Sequence, residues 1–79
     1  MEKVKYKSII GHNIKKVRKE NSYSREKLAE CIDVSTDYIG KLERGNKGAG
    51  VDTLIEIANC FSVPLSRIVS KETPENAGT

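Results

Sequence analysis

The sequence predicts an all-α protein, a compact bundle of five short helices, and three observations carry that expectation. Apolar residues recur at three- and four-residue spacing in five separate stretches, the period of a helix with one buried face. Residues that start or stop helices, among them Ser24, Ser35, Gly45 and Pro64, stand between those stretches. At 79 residues, 37% hydrophobic and 32% charged, the chain has room for one soluble domain with a small core.

The elements follow in order. Ser8 is the expected N-cap of a first helix in which Ile10, Ile14 and Val17 share one face, with Lys15, Lys16 and Lys19 on the other; it ends near Asn21-Ser22. Tyr23 precedes the second helix and can pack back on the bundle. Ser24 caps that helix, Glu26 lies in its positive first turn, and Leu28, Ala29 and Ile32 form its apolar face. Asp33-Val34 breaks the period. Ser35 then caps a third helix with Ile39 and Leu42 inward, Gly45 at its end, and Thr36, Asp37, Gly40, Lys41 and Arg44 sharing the opposite face.

A loop, Asn46-Lys47-Gly48-Ala49-Gly50, reverses the chain. Gly50 or Asp52 caps a fourth helix whose Val51, Leu54, Ile57, Ala58 and Phe61 make the widest apolar stripe in the sequence. Ser62-Val63-Pro64 is a break with proline where a last helix begins, and Leu65, Ile68 and Val69 mark that helix. The expected organisation is therefore a basic N-terminal arm (1–7), one domain (8–69) and a frayed tail (70–79).

The net charge of +3 is unevenly spread. Residues 1–27 carry nine Lys or Arg against three Glu, whereas residues 28–79 carry five against eight Asp or Glu. One basic face toward phosphates fits this asymmetry, and so does a solvated lysine-rich helix. No apolar stretch approaches the roughly 20 residues of a membrane span, and the first residues lack a signal core, so a cytoplasmic location is expected. A single histidine, His12, no paired nucleophile and base, no phosphate loop and no metal cluster argue against an enzyme and against any cofactor or metal. Cys31 and Cys60 are expected as small helical fillers; a redox pair requires the two sulfurs to be neighbours.

Three segments, S-x-x-x-L-A (24–29), I-x-V-S (32–35) and Y-I-x-K-L-E-R-G (38–45), together with I-G-x-x-I-x-x-V-R (10–18) and T-L-x-x-I-A (53–58), resemble the Cro and phage-repressor type of helix-turn-helix, the XRE family. The resemblance runs from about Ile10 to Val69 and implies a lambda-repressor-like DNA-binding bundle, with the helix 35–44 in the major groove of double-stranded DNA.

Carried over residue by residue, the base-reading candidates are Ser35, Thr36, Asp37, Gly40 and Lys41. Lysine can donate to guanine, aspartate can accept from cytosine, and threonine can touch the thymine methyl, so a G·C-containing half-site is expected. Gly40 reads either as close backbone approach to DNA or as a tolerated glycine. The phosphate candidates are Arg25, Arg44 and Lys47, with Tyr38 reaching a phosphate through its hydroxyl or, the favoured reading, packing its ring on the second helix. The resemblance also implies an inward ion pair between Arg18 and Glu43.

This sequence departs from the family pattern at Asp33 and Ser62, where glycine is usual, at Ala49 in place of a proline, and at Arg25 in place of a glutamine. The function implied is a sequence-specific transcription regulator of repressor type, a homodimer on a pseudo-palindrome. Leu65, Ile68 and Val69 would supply the dimer surface or complete the monomer core. The alternatives are a restriction-modification controller protein, or an antitoxin-type interaction module whose partner is a toxin.

Overall fold

Helix α1 (Tyr6–Glu20) is followed by α2 (Arg25–Ile32), α3 (Thr36–Glu43), α4 (Val51–Cys60) and α5 (Leu65–Val69) in a computed structural model that describes residues 5–71. Most of the expected arm (1–4) and tail (72–79) lies outside the described residues. The principal contacts close a ring: α1 packs on α3, α3 on α2, α2 on α4, α4 on α5, and α5 back on α1. Ile14, Val17, Leu28, Ile39, Leu42, Ile57 and Ile68 fill its centre, almost wholly buried.

The helix starts divide into capped and uncapped. Ser24 Oγ accepts from the Lys27 N–H and Ser35 Oγ from the Tyr38 N–H, each at 3.0 Å, so the two helices of the motif begin with a side-chain cap. Helix α1 begins earlier than expected. The N–H groups of Ser8 and Ile9 both donate to the Lys5 carbonyl, which closes a first turn from Tyr6; Ser8 is therefore inside the helix, and Tyr6 and Lys7 belong to α1 rather than to an arm.

Four helices end in one way. The N–H groups of Tyr23, Val34, Asn46 and Val63 donate back to the carbonyls of Arg18, Ala29, Lys41 and Ala58, five residues earlier. The residue before each donor has a positive φ: Ser22 (59°), Asp33 (61°), Gly45 (75°) and Ser62 (57°). This is the Schellman closure, in which a left-handed residue turns the chain and an apolar one docks behind it. Tyr23, Val34 and Val63 do dock on the core.

Close approach between α1 and α3 depends on Gly11. It is buried, and a Cβ there would run into the main-chain carbonyl of Leu42. Buried Asn13 ties α1 to α5, its Nδ2 donating to the carbonyls of Ile68 and Ser70 at 2.8 Å each. Tyr23 meets Phe61 edge to face at 4.9 Å between centroids, while the Lys27 ammonium lies 4.5 Å over the Tyr23 ring.

Three expectations are corrected. Val51 has the phase of the α4 stripe but opens the helix, where nothing covers it, and it is 63% exposed; Leu54, Ile57, Ala58 and Phe61 are buried as a stripe requires. Ile68 is wholly buried between α1 and α4, so it completes the monomer core and is withdrawn from any dimer surface. Cys31 and Cys60 are not separate fillers: α2 and α4 set their C-terminal ends side by side, with the Cα atoms 6.5 Å apart and the sulfurs joined as a disulfide. Their separation of 29 positions along the chain hides this neighbourhood from a linear reading.

Candidate nucleic-acid interface

The site is built on α3. Ile39 and Leu42 are buried under it, which turns the opposite flank outward: Ser35, Thr36, Asp37, Lys41 and Arg44 are exposed. Lys41 Nζ lies 3.2 Å from Asp37 Oδ2, one turn apart, with the acid nearer the helix N-terminus, the favourable order for such a pair. Gly40 shares this flank but is buried, because the Arg44 side chain folds over it; a Cβ at Gly40 would sit 3.1 Å from Arg44 Nη1. Tyr38 is half-buried and packs on the core, and Lys47 is exposed in the loop after α3.

The inner end of α3 is fixed by Glu43. Arg18 Nε donates to Glu43 Oε2 at 2.6 Å and Arg18 Nη2 to Oε1 at 3.1 Å, with both side chains nearly buried, and Arg18 Nη1 donates to the Tyr23 carbonyl at 2.8 Å. This two-pronged geometry joins α1, the start of α2 and the end of α3. Arg25 Nε also donates to Glu43 Oε1, at 3.1 Å. One carboxylate thus serves two guanidiniums, and Arg25, expected to reach outward to a phosphate, is partly drawn inward while 39% of its side chain stays exposed.

Two further cations join the site that the candidate residues did not include. Lys15 and Lys19 of α1 line an open depression with Arg18, Ser24, Arg25, Thr36 and one acid, Glu26, where the N-termini of α2 and α3 meet. Partial positive charge at two helix starts, with ammonium groups on the rim, suits a phosphate-sized anion. The charge asymmetry of residues 1–27 was the available signal, but the face of α1 that meets α2 is set by the fold. Among the described residues no group of three or more His, Cys, Asp or Glu side chains could hold a metal ion, and no helix is long and apolar enough to cross a membrane.

The chain is similar to known proteins in sequence and in fold. The chain is 33% identical over 64 residues to the immunity repressor protein of Bacillus phage phi105, covering 81% of this chain and 44% of the repressor. It is 29% identical over 70 residues to control protein C.SmaI of Serratia marcescens, covering 89% of this chain and 83% of that protein. The fold superposes on the crystal structure of the clp gene regulator ClgR from Corynebacterium glutamicum with a TM-score of 0.81 at 21% identity, over 90% of this chain and 74% of that one. The chain spans less than half the length of the phage repressor. Residues 14–68 match the helix-turn-helix family model HTH_3, and the chain belongs to that family, the Cro and phage-repressor type of helix-turn-helix.

Proposed function

We propose that the chain is a sequence-specific DNA-binding transcription regulator of repressor type, not an enzyme, that acts as a homodimer on a pseudo-palindromic operator. The observation that carries the reading is the placing of an exposed polar flank on α3 beside a basic depression built by α1 and the starts of α2 and α3. With α3 in the major groove, Thr36, Asp37 and Lys41 face base edges and Ser35 stands at the helix start near a phosphate or a base edge. Arg25, Arg44 and Lys47, with Lys15 and Lys19, grip the phosphates on either side and set register. Tyr38 supports α3 from within, and Gly40 gives Arg44 a place to lie rather than reading a base.

One domain of this size reads only a few base pairs, so two copies with half-sites about one helical turn apart supply the remaining specificity. The same reading places the protein in the cytoplasm, on the nucleoid. Selection of bound fragments from a random duplex pool tests it. The expected product is a two-fold symmetric site, bound more weakly as salt rises; a pool that stays random after repeated rounds contradicts it.

A second reading is favoured by one observation. Control protein C.SmaI is matched over 83% of its length, so a restriction-modification controller is the narrower form of the proposal. A selected operator that recurs upstream of a restriction endonuclease gene supports the narrower form.

A further inference from the structure

We infer that Cys31 and Cys60 are a reversible oxidation site, a dithiol–disulfide couple that latches α2 to α4 and sets the stability of the motif without touching its outward flank. Each cysteine lies at the C-terminal end of its helix, and the Cα separation of 6.5 Å falls within the range two half-cystines span. Cys31 is exposed and Cys60 half-buried, so a reagent meets Cys31 first. The surrounding rim carries exposed Asp33 and Glu56, with Glu30 beside Cys31 in sequence, and repels anions. A small neutral hydroperoxide is therefore the oxidant class that fits.

The Cys31 thiolate attacks one peroxide oxygen, the O–O bond breaks, and Cys31 becomes a sulfenic acid while the leaving oxygen takes a proton and departs as water or alcohol. Cys60 then attacks the Cys31 sulfur, the S–O bond breaks, and the hydroxide leaves as water with the proton that Cys60 gave up. Two thiols have lost two electrons to the peroxide. A dithiol reductant reverses this by attacking Cys31, releasing Cys60, and then closing its own disulfide to release Cys31.

The bond closes a loop that contains all of α3, since its ends lie 29 residues apart. It restricts the unfolded chain and holds the α2–α4 seam, whereas Thr36, Asp37 and Lys41 belong to another helix. The inference rests on the α2–α4 geometry and is independent of the DNA reading.

The test compares protein reduced by dithiothreitol with the same protein after hydrogen peroxide, by alkylation and mass spectrometry and by thermal unfolding. The reduced chain should take two alkyl groups; the treated chain should take none, stay monomeric in covalent mass, weigh less by two hydrogens, and melt higher by about 10 °C or more. Dithiothreitol should restore both thiols and the lower melting point. Cys31→Ser and Cys60→Ser, each with one thiol, should show no peroxide-dependent rise. Sulfinic acid at Cys31 in place of the bond, covalent dimers, or equal melting points in the two states would overturn the inference. Operator affinity measured on both states well below melting reports separately on the DNA reading.

Discussion

Helix α3 carries a carboxylate near each end, and each is paired with a cation, yet the two pairs differ in almost everything that decides what an ion pair does. Glu43 is nearly sealed from water, takes two bonds from Arg18 and one from Arg25, and joins three helices. Asp37 lies in the open, 73% exposed, one turn from a half-exposed Lys41 on its own helix. The same charges hold the helix in place at one end and stand open to water at the other. In the interior a carboxylate cannot lose its partners without stranding charge, whereas in water the pair exchanges one set of neighbours for another at little cost.

The sharpest way to break this contrast is Glu43→Ala. It strands the buried Arg18 guanidinium and should cost roughly 3 to 5 kcal/mol, a fall of some 12 °C or more in melting temperature. A shift of only a degree or two would mean that Glu43 holds nothing. Next comes Gly11→Ala, which tests the closeness of α1 and α3 that the buried pair spans: the new methyl meets main chain that cannot step aside, for a loss of about 1 to 3 kcal/mol in chemical unfolding.

On the outward flank of α3 the effects should move from stability to binding. Lys41→Ala should leave the melting temperature nearly unchanged, weaken operator binding by about 1 to 3 kcal/mol, and relax preference at one base pair. Arg44→Ala should weaken all duplexes alike and lower the salt slope by about one unit. Identical base-preference profiles for the two variants would contradict the division between reading and gripping. Smallest is Asp37→Ala. Denaturant titration should find a stability change below about 1 kcal/mol, since an exposed pair within one helix contributes little.

Much of the fold was legible because its punctuation is local. Ser24 and Ser35 cap helices through bonds to residues three further on, and Asp33, Gly45 and Ser62 turn the chain within one residue. The reading failed at three other positions. Val51 has the right phase but no neighbour, Ser8 looks like a cap but stands inside a turn closed from Lys5, and Ser22 takes a left-handed geometry that no pattern flagged.

The site followed the same division. The outward flank of α3 can be read from period alone, whereas three features depend on which helix ends meet: the second guanidinium on Glu43, the folding of Arg44 over Gly40, and the entry of Lys15 and Lys19 beside Arg25. The nearness of Cys31 to Cys60 is of this kind too. Adjacency across the bundle leaves no mark on spacing along the chain.

The account turns on the exposed flank of α3 meeting nucleobases, and mapping backbone amide shifts by NMR while a selected operator duplex is added tests this most directly. The largest changes should fall on residues 35–41 and on the starts of α2 and α3, with Lys15 and Lys19 next and α4 and α5 nearly still. Changes centred on α4 and α5, with residues 35–41 unmoved, would contradict it.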